Sequence, residues 1–239
     1  MRAVLCGANG AMGKLIDAAL GDEVVGRVSI DGENRVPRTF AELGKVDADV
    51  VIDFSHHTAV ADVLAYAKQI GAAAVIGTTG HTPEEKAMIT AAAGEIPVFF
   101  SGNMSLGIAV LCRLAKQAAA AFPDADIEIV EAHHIRKVDA PSGTALMLFN
   151  AIKEVRPEAV ANCGRSGEGK RTKEEIGIHA LRMGNVVGIH EIHIHTANQS
   201  LTLKHESGSR AMLADGACDA ARFMVGKAKG LYSMEDMLK

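Results

Sequence analysis

The chain has 239 residues, 48% of them apolar and 23% charged, with a formal net charge of -4 at pH 7. That length buries a sizeable core as one large or two small domains, and the acidic balance excludes the clustered Lys and Arg of a nucleic-acid footprint. No apolar run approaches the roughly 18 residues of a membrane span, so neither nucleic acid nor membrane is expected as a partner.

Cys6, Cys112, Cys163 and Cys218 lie far apart with no CxxC pair. They predict reduced thiols and a cytoplasmic setting rather than a disulfide framework or a zinc knuckle. The opening MRAVLCGANG enters a strand pattern directly, without the features of a signal peptide.

RAVLCG, EVVGRVS, DVVIDF, AAAVIG and IPVFFS read as strands, alternating with helical patterns such as TAVADVLAYAKQI and TPEEKAMITAAAG. That alternation is the signature of βαβ units and a parallel sheet. Thr82, Pro83 and Glu85 supply cap, first-turn proline and capping-box acid to the second of these helices. From about Met104 the pattern changes to a long helix, SLGIAVLCRLAKQAAAAF, the strand DIEIVEA and a helix after Ser142. Three β-like runs follow, IGIHALR, NVVGIHEIHIHT and SLTLKHE, with turn signals at Gly184-Asn185 and Ala197-Asn198 that predict an antiparallel sheet. An alanine-rich helix over about Ala211 to Lys227 precedes a short tail. The fold class is α/β: a Rossmann-type parallel-sheet domain over 1–103 and a mixed α+β domain over 104–210.

Gly7, Ala8, Asn9, Gly10, Ala11, Met12 and Gly13 form a GxxGxxG turn between the first strand and a helix. Glycines there let the backbone approach a pyrophosphate, whose charge a helix N-terminus stabilises. The same turn serves equally to pack helix on sheet, so the βαβ context decides for a dinucleotide. Near the second strand's end, Ser29 and Asp31 are the candidates for the adenosine ribose, and a solvated loop acid is the other reading of Asp31. Three further polar tips follow successive strands: Asp53 to His57 with Phe54 and Ser55, then Gly77, Thr78, Thr79 and Gly80, then Ser101 to Ser105 with Asn103 and Met104. Carboxyl ends of parallel strands line the ligand crevice, so three adjacent tips predict one shared site rather than three ordinary turns.

EAHHIRKVDAPSGTA, residues 131–145, carries the other candidate chemistry. Ser142 is placed to cap a helix while the Gly143 and Thr144 amides face an anion, for which a carboxylate is suited. Lys137 adds positive charge, and an imidazole is the usual proton donor near pH 7. Each part has a plainer reading, a surface histidine and a helix start, and their coincidence favours a site. Glu191, His193 and His195 alternate on one strand face, but no second cluster completes a metal shell. A polar sheet face or subunit contact is the preferred reading, and no metal is expected.

The stretch EAHHIRKVDAPSGTA, with GxxGxMG at the N-terminus, GTTG, FFSGNMSLG, EIGIHALRMGNVVGIHEI and HESGSRAMLADGA, resembles the 4-hydroxy-tetrahydrodipicolinate reductase (dihydrodipicolinate reductase) family over the whole chain. The resemblance implies a nicotinamide-dependent reduction of a cyclic imine dicarboxylate, with NAD or NADP as cofactor. It implies His133 as general acid, Lys137 assisting protonation and binding substrate, and His134, Ser142, Gly143 and Thr144 around a substrate carboxylate. It also implies that residues 211–239 return to complete the first domain, and that the second domain assembles a homotetramer. Ala11 stands where many relatives carry Arg, Ser29 where an acid is common and His57 where proline is usual, all close to the adenosine pocket. Two other classes are weighed against the reductase: a non-catalytic dinucleotide-binding redox sensor, and another small-substrate oxidoreductase such as an amino-acid dehydrogenase. A sensor has no need of His133 and Lys137 beside a carboxylate site.

Overall fold

A computed structural model describes residues 1–238, and the chain divides into two compact units. The first comprises Met1–Ser105 and the segment beginning at Ala211; the second is Leu106–Arg210.

In the first unit, in chain order, come β1 (Ala3–Cys6), α1 (Ala11–Leu20), β2 (Val24–Val28), α2 (Phe40–Leu43), β3 (Val50–Asp53), α3 (Val60–Ile70), β4 (Ala73–Ile76), α4 (Pro83–Ala92) and β5 (Pro97–Phe100). The second unit holds α5 (Leu106–Ala121), β6 (Asp126–His133), α6 (Gly143–Lys153), β7 (Val160–Cys163), β8 (Glu175–Arg182), β9 (Gly188–His195) and β10 (Ser200–Ser207). The chain then returns to the first unit with α7 (Ala211–Met224) and β11 (Gly230–Tyr232).

Six parallel strands in the order β11-β5-β4-β3-β1-β2 make the first sheet. β1, β3 and β4 are buried along their whole length, as strands covered on both faces must be, and their sequences are accordingly near-continuous runs of Val, Ile, Leu and Ala. α3 packs on β3 and β4 through Val60, Val63, Leu64 and Ala67. α7 lies against β3, β4, β5 and α1, and its buried residues Ala214, Ala217, Ala220 and Ala221 are small. Gly216 permits this approach, because a Cβ there would stand 1.8 Å from the Met104 carbonyl oxygen. α4 begins with the expected capping box: Thr82 accepts from Glu85 N–H and the Glu85 side chain accepts from Thr82 N–H.

Strand order reverses between β1 and β3, the kind of switch point outside whose carboxyl ends α/β proteins bind ligands. The tail after α7, which carries no strand signal of its own length, contributes β11 as the sixth strand. α7 itself stops at Met224, short of the predicted Lys227.

The second sheet runs β10-β9-β6-β8-β7. It corrects the predicted antiparallel arrangement: β6 lies between β8 and β9, parallel to the first and antiparallel to the second, and β7 pairs parallel to β8. The Gly184-Asn185 turn therefore joins strands that do not pair with each other. Only β9 and β10 form the expected hairpin. α5 and α6 cover one face, where Ile127, Ile129, Ile176, Ile178, Ile192 and Ile194 meet Leu111, Leu148 and Ile152.

Candidate active site

At the switch point the chain leaves β1 through Gly7, whose φ of 83° is a left-handed value that glycine adopts without strain. A side chain at Gly7 would stand 2.3 Å from the Phe54 carbonyl oxygen, and one at Gly13 would stand 2.1 Å from the Gly7 carbonyl oxygen. The turn is thus folded tightly on itself and on the end of β3. Gly7 and the buried Ala8 donate their N–H groups to the Val28 carbonyl, while Gly10 caps α1 without any side-chain acceptor. The helix N-terminus is left with backbone donors for an anion.

Two cavities flank this turn. One of about 1130 Å³ is lined by Gly7, Gly10, Ser29, Asp31, Arg38 and Tyr66 among others. A second, of about 500 Å³, is bordered by Ala11, Met12, Ser55, Thr79, Asn103 and Met104 among others. The structure therefore brings the glycine turn and the three strand tips together, as the sequence predicts. Phe54 lies over Gly77, where a Cβ would clash with its ring at 2.2 Å. Thr78 Oγ1 accepts from Ser55 N–H at 3.0 Å, and Ser55 Oγ donates to the buried Asp53 Oδ1 at 2.5 Å. Burial raises the Asp53 carboxyl and pushes the neighbouring Cys6 thiol up to about 12. Ser101 Oγ donates to the Asn103 carbonyl at 2.7 Å and shapes the third tip.

At the end of β2, Ser29 is buried against the larger cavity. Asp31 Oδ1 accepts from Asn9 Nδ2 at 2.6 Å and from Glu33 N–H at 3.0 Å. Those bonds, the Asn9 amide first, hold its carboxyl below the usual carboxylate range. Arg27 is committed to Asp17, with Nη2 2.7 Å from Oδ1. Arg38 lines the cavity, its side chain folded over Gly32.

In the second unit the helix-facing side of the sheet changes character toward the carboxyl end of β6. Continuing the rows of isoleucine stand Glu131 and His133 on β6, Arg182 on β8 and His190 on β9. His133, predicted in a loop, is the last residue of β6, and it is almost fully buried. Its Nδ1 lies 2.6 Å from Glu131 Oε2. Glu131, 0% exposed, also accepts from both Arg182 Nη atoms at 2.8 and 2.9 Å and from Ser142 N–H at 3.0 Å. Burial opposes ionisation of this carboxyl, but the Arg182, His133 and Ser142 bonds outweigh it and hold the group below its ordinary range.

Ser142 caps α6, its Oγ accepting from Ala145 N–H at 3.1 Å, and is 1% exposed. It serves the helix start from inside, and its hydroxyl is turned to His190 rather than presented to a ligand. Gly143 and Thr144 form the more open first turn. Lys137 Nζ pairs with Asp139 Oδ1 at 2.8 Å. Arg210 Nη2 donates to His134 Nε2 at 3.2 Å, and burial, then the Arg136 charge, lowers the His134 pKa. His190 is buried and its pKa is lowered to about 4, chiefly by burial and then by His133.

Glu131, Arg182, His190 and Arg210 are the residues that reading the sequence misses. Only the alternation of Glu131 and His133 along one strand face gives a local sign of them. His193 lies 3.3 Å from Glu191 on the opposite face of the sheet, and no cluster able to hold a metal ion occurs among the described residues.

A glycine turn at the switch point of a parallel sheet, with clefts on both sides of it, is the arrangement in which α/β proteins hold a dinucleotide, and the family of the chain makes it a pyridine-nucleotide-dependent oxidoreductase. The model of "Dihydrodipicolinate reductase, N-terminus" matches residues 1–104, and that of "Dihydrodipicolinate reductase, C-terminus" matches residues 107–238. The chain belongs to the dihydrodipicolinate reductase family. It is 43% identical to the 4-hydroxy-tetrahydrodipicolinate reductase of Caldanaerobacter subterraneus subsp. tengcongensis, covering 100% of this chain and 98% of that protein. Identity to the corresponding reductase of Clostridium novyi is 40%, over 100% of this chain and 98% of the relative. A dipicolinate-bound dihydrodipicolinate reductase from Paenisporosarcina sp. TG-14 superposes with a TM-score of 0.80 at 25% identity, covering 99% of each chain.

Proposed function

We propose that the chain reduces 4-hydroxy-tetrahydrodipicolinate to tetrahydrodipicolinate in diaminopimelate and lysine biosynthesis, with His133 as the proton donor. A bound NADH or NADPH supplies the hydride. The turn from Gly7 to Gly13 fits such a cofactor, because its closest approaches leave no room for side chains and its helix carries no side-chain cap. Ser55, Thr78, Thr79 and Asn103 offer polar groups along the second cavity.

The observation that carries this reading is the packing of His133 against the N-terminus of α6, with Ser142 N–H and His133 Nδ1 on the same Glu131 carboxylate. A planar dicarboxylate held by Lys137, His134, Gly143 and Thr144 would lie next to that imidazole. For the substrate to bind there, Lys137 exchanges its partner Asp139 for a substrate carboxylate, and Arg210 beside His134 supplies further positive charge.

Both cofactors are used. Asp31 favours the ribose hydroxyls of NADH, whereas Arg38, which lines the cavity together with Lys45, is suited to a 2′-phosphate, Arg27 being taken by Asp17. The sheet face opposite α5 and α6, with Glu128, His179, Glu191, His193 and the exposed Leu181, is the face through which a homotetramer assembles. The setting is the cytoplasm, in keeping with cysteines that no disulfide joins among the described residues.

The deciding experiment follows the absorbance of reduced nicotinamide after addition of freshly condensed pyruvate and aspartate semialdehyde. Oxidation with either cofactor supports the reductase. No oxidation with both would leave a dinucleotide-binding protein without this chemistry.

A further inference from the structure

We infer that Glu131 is a positioning residue for the proton transfer, fixing which nitrogen of His133 delivers the proton and tying that imidazole to the start of α6. The inference rests on the reading of His133 as proton donor.

Residues two apart on β6 share a face, so Glu131 and His133 stand side by side. A carboxylate with no exposure to water must be satisfied by the protein, and here every bond comes from a different element: Arg182 from β8, His133 from β6 itself and Ser142 N–H from the start of α6. The Arg182 fork grips both oxygens and leaves the carboxylate little freedom to turn. Its Oε2 is 2.6 Å from His133 Nδ1, so the proton on the neutral ring resides at Nδ1.

The other nitrogen is thereby assigned. Nε2 faces Gly188, at 3.2 Å from where a Cβ would stand, and no hydrogen bond within the protein reaches it among the described residues. In the cationic ring the mobile proton is the one at Nε2. During the reaction the Nε2–H bond breaks and its electron pair stays on the ring, while the proton bonds to the substrate atom that hydride addition leaves with an electron pair. The product is a neutral imidazole whose Nδ1–H still points at Glu131. Because the same carboxylate accepts from Ser142 N–H, the proton donor and the first turn of α6 are referenced to one buried point, and a small rotation of either is resisted by Arg182.

A merely structural carboxylate would cost the same whether or not His133 is present, and this separates the alternatives. The expected result is that Glu131→Gln lowers kcat by roughly 10²-fold, within the range that proton transfer supplies, with KM changed about threefold or less. Added to His133→Gln, it should cost less than about threefold more, since the two act as one unit. Near-full turnover of His133→Gln would instead overturn the proton-donor reading itself. A large loss in His133→Gln with none in Glu131→Gln, or losses that multiply in the double variant, would overturn the role of Glu131 alone.

Should Glu131→Gln fail to fold, nitrogen-15 spectra of the imidazoles in the unsubstituted protein decide. The His133 signal, assigned by its absence in His133→Gln, is expected to show protonated Nδ1 and bare Nε2 at high pH. A predominant Nε2–H tautomer would overturn the inference.

Discussion

Ser142 Oγ lies 3.2 Å from His190 Nε2, so the hydroxyl that caps α6 is also tied to the central part of the sheet. His190 is kept neutral there, at a pKa of about 4, whereas in the unfolded chain it titrates near 6.5. Protonation therefore favours the unfolded state. The stability His190 confers as a neutral group is complete above pH 6.5 and is lost as the pH falls from there to about 4, by roughly 3 kcal/mol at most. Urea midpoints measured across that window should fall with pH, and His190→Gln should flatten the fall. His134 and His205 are shifted in the same direction and leave a residual slope. An unchanged slope in the variant would show that His190 is not the group responsible.

Lys137→Ala should weaken inhibition by pyridine-2,6-dicarboxylate. Charge-assisted hydrogen bonds are worth about 1.5–3 kcal/mol, so the inhibition constant should rise roughly tenfold or more. An inhibition constant that does not move would remove Lys137 from the anion site and leave it as the partner of Asp139.

The two cofactors should give kcat/KM values within about tenfold of each other, or roughly 1.4 kcal/mol in transition-state stabilisation. Arg38→Ala should lower kcat/KM for NADPH several-fold more than for NADH. Both must be measured at one ionic strength, because phosphate recognition weakens with salt. A preference beyond a hundredfold in either direction would mean that one of Asp31 and Arg38 dominates the ribose end alone.

Gly13→Ala should impair cofactor binding, since its new methyl group would stand 2.1 Å from the Gly7 carbonyl oxygen and 2.8 Å from Ala8 Cα. Backbone atoms cannot step aside as a flexible side chain does, so α1 must tilt away from the turn, at a cost of about 1–3 kcal/mol. Titration of the fluorescence of bound NADH should show affinity at least tenfold weaker. Wild-type affinity would show that the turn can open without consequence.

The middle of the parallel sheet was legible in the sequence because β1, β3 and β4 are buried on both faces and each is a local run of apolar residues. The capping box of α4 and the Ser142 cap of α6 were legible for a similar reason, since three neighbouring residues determine each. The placement of β6 between β8 and β9 was not, because a turn signal such as Gly184-Asn185 records a change of direction and not the identity of the partner strand. Glu131 was hidden in the same way: its salt-bridge partner Arg182 lies 51 residues along the chain. β7 and β11 escaped notice as edge strands of 4 and 3 residues, too short for a period of two to show.

The return of the chain to its first unit has a consequence during synthesis. A ribosome delivers β1 to β5 first, then all of residues 106–210, and only afterwards α7 and β11. At roughly 5–20 residues per second that interval lasts about 5–20 s. Throughout it the outer edge of β5 has no neighbour, and the alanine-lined helix that will cover β3, β4 and β5 does not yet exist. The later-made unit is contiguous and can close as soon as it emerges, so the nascent protein completes its second unit before its first. A nick or a premature stop after Met224 would accordingly damage the unit encoded first.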